Sequence, residues 1–297
     1  MNKLILIIIS ISFLFFISCD DEKEFSPENS IKDDAGNIFS LELNPKRIIS
    51  LAPNITETIY ALKADSLLVG VTQYCDYPPE AKTKEIVGSM LDPNLEKISA
   101  LKPDLIIVTT EGNSKYTYLS LKNSGYKVFV SNSSDINGIS RMILNIGRLT
   151  GKLPAGKKLA EKIEDDRKYY KLENTTEKMK NCLLVISLNP LITVNKFTYL
   201  NEVMELAGFE NIYKDELIEY PNINYEDVLI KNPDYIFYLC DTANKTYMDE
   251  SLISIKSKLS TVKACKNNRV FPADENLVSR PGPRVMESVK MLKSKVF

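Results

Sequence analysis

The sequence predicts an α/β protein of two lobes, each a central, mostly parallel sheet flanked by helices, bridged by one long rigid helix. Three observations carry that expectation. Beyond Lys46, short β-branched runs alternate with helix-like stretches, the pattern of parallel α/β layers. The candidate strands fall at residues 47–51, 68–71, 105–108 and 127–130, then at 183–187, 235–239 and 269–271, four before a strand-free stretch and three after it. A thirteen-residue pattern also recurs at a fixed offset of 130.

In chain order, Met1 to Ser18 carries one charge, Lys3, ahead of apolar runs too short and interrupted for a bilayer span of ~20 residues. Residues 1–18 therefore read as a secretory signal peptide. Cys19, preceded by Phe16-Ile17-Ser18, resembles the lipidated first residue of a bacterial lipoprotein. Residues 19–45 read as that cysteine and a charged tether, with a short strand possible within 38–43. The first lobe is expected over residues 46–152. Residues 136–151 place Ile139, Ile143, Ile146 and Leu149 at helical spacing. Pro154 opens a charged helical run to about Met179, so a bridging helix is expected over 153–180, roughly 40 Å at 1.5 Å per residue. Residues 181–297 form the second lobe.

In the repeat, Asn94-Leu95-Glu96-Lys97-Ile98 leads to Pro103-Asp104-Leu105-Ile106, and Asn224-Tyr225-Glu226-Asp227-Val228 leads to Pro233-Asp234-Tyr235-Ile236. Each copy reads as an Asn-capped short helix, a Pro-Asp break and an apolar strand. Glu96 and Glu226 occupy equivalent places, one per lobe.

Composition removes whole classes of function. With 38 Lys and Arg against 39 Asp and Glu and no extended basic stretch, the chain lacks the clustered cations of a nucleic-acid-binding surface. It contains no histidine, which excludes a Ser-His-Asp triad, a His base and any metal or haem site with an imidazole ligand. Among five cysteines there is no C-x-x-C spacing, so neither a zinc nor a redox motif is expected. Of Cys75, Cys182, Cys240 and Cys265, the pair Cys240 and Cys265 is the better disulfide candidate. The Tyr169-Tyr170 pair reads as an edge packed on a lobe.

Residues 70–81, G-V-T-Q-Y-C-D-Y-P-P-E-A, leave a strand as a stiff loop at the carboxyl end of a sheet, where α/β folds bind ligands. Tyr74 there offers a ring for a planar ligand or packs down as part of a turn. This loop, with I-I-S-L-A-P-N-I-T-E at 48–57, N-L-E-K-I-S-A-L-K-P-D-L-I-I at 94–107, E-G-N at 111–113 and S-R-P-G-P-R at 279–284, resembles the periplasmic binding proteins of ABC importers that capture cobalamin, haem or ferric siderophores. The Y-x-D-Y-P-P run is most like the cobalamin-binding branch. The resemblance implies a lipid-anchored monomer outside the cytoplasm that holds a corrinoid in the inter-lobe cleft, with no cofactor, catalytic residue or resident metal of its own. It places Pro53, Tyr74 and Met90 on the first lobe's side of the ligand, Tyr220 on the second's, and Asn276 and Arg280 within reach. Met90 and Tyr220 stand where those relatives have tryptophan, and Asn276 where they have Asp. It makes Glu96 and Glu226 the contacts to arginines of the membrane permease.

Two alternatives stand beside this. A haem or ferric-siderophore protein of the same fold would need Tyr74 or Met90 as an iron ligand or several cleft cations, for which Arg280 and Arg284 are the only obvious pair. An extracytoplasmic hydrolase would need two facing carboxylates, with Asp76 or Glu111 as candidates.

Overall fold

The computed structural model describes residues 29–175 and 178–295. The signal peptide and Cys19 lie outside these residues. No helix among the described residues is long and apolar enough to cross a membrane.

The chain enters as an antiparallel hairpin, β1 (Ser30–Lys32) and β2 (Ile38–Ser40). This corrects the tether expectation for its second half. Ile31 and Phe39 are buried, and the Asp33 carboxylate accepts the Asn37 amide inside the turn and the Val130 amide across it. Two buried apolar residues, the Asp33 carboxylate and the bonds of Asp34 to Asn132 and Arg141 dock a segment whose composition reads as solvated.

The first sheet follows: β3 (Ile48–Ser50), α1 (Pro53–Ala61), β4 (Leu68–Val71), β5 (Glu85–Ile86), α2 (Leu95–Ala100), β6 (Leu105–Thr109), α3 (Lys115–Asn123) and β7 (Val128–Ser131). Its strands are all parallel, in the order β5-β4-β3-β6-β7. The hairpin bonds to Val130 on the edge strand β7, satisfying groups that would otherwise template aggregation. Two helices then lead away, α4 (Ile136–Leu149) and α5 (Leu153–Glu173). The second sheet is built from β8 (Lys180–Val185), the small hairpin β9 (Ser187–Leu188) and β10 (Leu191–Ile192), α6 (Tyr199–Leu206), β11 (Phe209–Asn211), α7 (Tyr225–Lys231), β12 (Tyr235–Cys240), α8 (Lys245–Lys258), α9 (Lys263–Lys266), β13 (Val270–Asp274), α10 (Glu275–Val278) and α11 (Val285–Lys293). It too is parallel, ordered β11-β8-β12-β13.

All seven expected strands are present. Alternation within them explains why they read as continuous apolar runs: Leu105 and Ile107 of β6 face the central core while Ile106 and Val108 face an outer one, and Phe237 and Ile236 of β12 divide likewise. Strands buried on both faces have no polar side to show. The central core is continuous from Ile48 through Ile139, Ile143 and Ile146 of α4 to Leu184 and Val289, so the two sheets share one apolar interior.

The bridging helix is shorter than expected. Its 21 residues span about 32 Å, and it stops because Asn174 turns its amide onto the Glu205 and Leu206 carbonyls at the end of α6. It touches α4 on one side and α6 and α11 on the other. Tyr170 is buried and Tyr169 exposed, the rings meeting edge-on at 5.3 Å.

The repeat is a structural one. Asn94 accepts the Lys97 amide at the start of α2, and Asn224 the Asp227 amide at the start of α7. Each helix then leads through Pro-Asp into the strand beside its sheet's first strand, β6 beside β3 and β12 beside β8.

The four described cysteines are free thiols, and the candidate pair Cys240 and Cys265 is not bridged. Cys240 ends β12, whereas the neighbour of Cys265, Ala264, bonds to Pro233 at that strand's other end, about 17 Å away along an extended strand.

Candidate ligand-binding cleft

Each sheet reverses its winding once, between β3 and β6 in the first and between β8 and β12 in the second. Parallel α/β sheets open a crevice outside the carboxyl ends of their strands at such a switch point. Here both crevices contribute to one cleft of about 520 Å³. Pro53 and Asn54 follow β3, Thr109 and Glu111 end and follow β6, Ile186 follows β8, Leu239 lies near the end of β12, and Glu275 and Asn276 follow β13.

All six residues expected at a ligand line this cleft: Pro53, Tyr74 and Met90 on the first sheet's side, Tyr220, Asn276 and Arg280 on the second's. Pro53 opens α1, where its missing amide costs nothing. Tyr74 and Tyr220 are half-exposed at the lip. Burial, with Glu219 and Glu111 nearby, pushes the Tyr220 phenol up to about 12. Tyr199 forms part of the floor, its hydroxyl donating to the Val278 carbonyl at 2.7 Å.

Met90 is held by the E-G-N motif. The Asn113 amide donates to the Met90 carbonyl at 2.7 Å and to the Leu51 carbonyl at 3.0 Å. At Gly112 a side chain would collide with Met90 Cε, so glycine there leaves room for the thioether. Glu111, the third member, accepts the Ser133 amide at 2.5 Å and the hydroxyls of Thr109 and Thr110.

Arg280 sits differently from a free ligand-binding cation. It is 8% exposed. One terminal nitrogen reaches Glu57 at 3.1 Å and Asp76 at 2.7 Å, and the other reaches the Tyr74 carbonyl at 3.2 Å and Asn276 Oδ1 at 2.5 Å. Arg284, four residues on, closes a fork on Glu57 at 2.8 and 2.7 Å and lies 3.8 Å over the Tyr77 ring. Glu57 and Asp76 belong to the first sheet's side, the arginines to the loop before α11. Asn54 adds a bond to the Pro281 carbonyl at 3.2 Å. The S-R-P-G-P-R segment thus ties the two halves together beneath the cleft. Sequence reasoning missed Glu57 as its hub. The signal was a carboxylate inside the apolar first helix, which burial permits only with a partner.

That network answers the two alternatives in part. The pair Arg280 and Arg284, expected as cations for a siderophore, is already matched by Glu57 and Asp76. Asp76, expected as a catalytic acid, is an ion-pair partner of Arg280 at 2.7 Å. No group of three or more His, Cys, Asp and Glu among the described residues is placed to hold a metal ion. Glu96 and Glu226 lie away from the cleft, exposed in the first turns of α2 and α7, and neither pairs with a cation among the described residues.

The sequence profile of the family described as periplasmic binding protein matches residues 48–277. The chain belongs to the periplasmic binding protein family. A vitamin B12-binding protein of Vibrio cholerae is 30% identical over 247 residues, 83% of this chain and 87% of that one. An uncharacterized ABC transporter substrate-binding lipoprotein of Bacillus subtilis, YvrC, is 29% identical over 273 residues, 89% of this chain and 84% of that one. Among solved structures, the periplasmic vitamin B12 binding protein BtuF of Vibrio cholerae superposes with a TM-score of 0.74 at 28% identity, covering 85% of this chain and 97% of that one. The periplasmic haem-binding protein RhuT of Roseiflexus sp. RS-1 superposes with a TM-score of 0.75 at 21% identity, covering 84% of this chain and 97% of that one. Nearly equal scores for a corrinoid and a haem binder mean that fold alone does not choose the ligand.

Proposed function

We propose that this periplasmic binding protein is an extracytoplasmic lipoprotein, anchored through Cys19, that captures a cobalamin-type corrinoid between its lobes and delivers it to an ABC permease. The lobes are residues 46–152 and 181–297, joined by the helix between. One observation carries the ligand: both sides of the cleft supply apolar side chains, Pro53, Tyr74 and Met90 from one and Tyr220, Ile186, Leu200 and Leu239 from the other, and the cation lining it among the described residues, Arg280, is already paired. A corrin is a broad plate whose cobalt brings its own ligands, so it needs apolar faces and no imidazole. Haem carries carboxylates and asks for an axial ligand as well. The 30% identity to a vitamin B12-binding protein supports the same choice. The protein performs no chemistry on what it binds. Glu96 and Glu226 contact the permease, one from each copy of the repeat.

The test is co-elution of the purified chain on gel filtration with cyanocobalamin, hemin or a ferric siderophore, read by visible absorbance. The corrinoid is expected to travel with the protein, and hemin retained in its place would overturn the reading. A substitution away from the lip probes the wall. Gly112→Ala is expected to drive the Met90 thioether from its seat and weaken corrinoid binding about tenfold, with a small change in Tm, because the displaced atoms are the end of a flexible side chain.

A further inference from the structure

The charges around the cleft do not balance. Three charged side chains line it, Glu111, Glu275 and Arg280. Arg280 and Arg284 are neutralised by Glu57 and Asp76 within one hydrogen-bonded network. That leaves the two glutamates, and no ion pair reaches either among the described residues. They come from opposite sides, Glu111 beyond β6 and Glu275 beyond β13. Three donors fix the position of the Glu111 side chain: the Ser133 amide and the Thr109 and Thr110 hydroxyls. Its field reaches the far wall, where it helps to raise the phenols of Tyr199 and Tyr220. Burial raises the Glu275 carboxyl, with Asp241 and Asp274 adding to the effect and Arg280 opposing it. A low-dielectric cleft strengthens any such field.

We propose that the cleft selects among corrinoids by charge, taking cationic ones, which carry water rather than cyanide on cobalt or lack the phosphate-bearing nucleotide, ahead of neutral cyanocobalamin. This rests on the corrinoid reading and sharpens it. A cationic plate seated between Glu111 and Glu275 meets two carboxylates of the opposite sign. An anionic tetrapyrrole or ferric siderophore meets two of its own. Selection therefore works by attraction toward one class and repulsion of the other.

The experiment is an equilibrium titration of the purified chain with aquacobalamin, cyanocobalamin and aquacyanocobinamide at low and high salt. Aquacobalamin and cyanocobalamin share ring and nucleotide, so their ratio isolates the charge. Aquacobalamin and aquacyanocobinamide are expected to bind about tenfold or more tightly than cyanocobalamin at low salt, and the preference is expected to shrink at high salt. Glu111→Gln combined with Glu275→Gln is expected to bring the ratio to about one, each amide keeping the shape of its carboxylate. Equal affinities for all three corrinoids, or a preference that survives both substitutions and salt, would overturn the charge mechanism and leave the corrinoid reading standing. Failure of every corrinoid to bind would overturn both.

Discussion

Replacing Glu57 by alanine is expected to lower stability by about 3 to 5 kcal/mol, the usual cost of removing one partner from a buried ion pair. For a chain of this size that is a fall in Tm of about 5 to 9 °C. Glu57 is 3% exposed and accepts from both Arg280 and Arg284. Without it Arg280 keeps Asp76 as its carboxylate partner, and Arg284 keeps no carboxylate at hydrogen-bond distance among the described residues. Glu57→Gln, which keeps the oxygen but not the charge, is expected to fall between. Because the network also sets where Arg280 and Asn276 stand, both variants are expected to bind corrinoid less tightly. Thermal unfolding of the ligand-free variants, followed by circular dichroism, separates the two effects. A Tm within a degree or two of the parent would mean that the network under the cleft does not hold the halves together.

The second large effect concerns transport. Changing Glu96 and Glu226 together to alanine is expected to leave corrinoid affinity unaltered and to lower uptake at least about tenfold, since close charge pairs at protein interfaces couple by roughly 1.5 kcal/mol or more. Both side chains are exposed first-turn acids outside the cleft, so their loss removes only a modest helix-dipole contribution of about 0.3 to 1 kcal/mol from stability. Uptake is to be measured with the cognate permease in vesicles, beside a binding titration of the same protein. Undiminished uptake by the double variant would remove Glu96 and Glu226 from docking.

Much of the architecture was legible because its strands are buried on both faces and its capped helices repeat. Asn94 and Asn224 announced two equivalent helix starts, and the spacing of Ile139, Ile143, Ile146 and Leu149 announced α4. What escaped was local structure that exists only through its neighbours. Glu85–Ile86 is a strand because Gly70 and Val71 pair with it. Phe209–Asn211 is one because it lies along Lys180 to Cys182. The hairpin at Ser30 to Ser40 is charged in composition and is fixed by Asp33 on a strand almost a hundred positions away. The cleft divides in the same way. Six residues that line it, Pro53, Tyr74, Met90, Tyr220, Asn276 and Arg280, were named through the family resemblance, whereas Ile186, Tyr199, Leu200 and Leu239 were not. The Glu57 network joins positions more than 200 apart in sequence, and neither periodicity nor spacing reports such a pairing. The balance of charge in the cleft became visible only once those pairings were known.

The central claim is that the two lobes close one corrinoid-binding site between Tyr74 and Tyr220. It is tested most directly by calorimetric titration of the purified chain with aquacobalamin, alongside Tyr74→Ala and Tyr220→Ala. One corrinoid per chain, with each variant weaker by about tenfold for the loss of a ring on the corrin face, is the predicted result. Heat from hemin but none from aquacobalamin, or corrinoid binding that neither substitution alters, would contradict it.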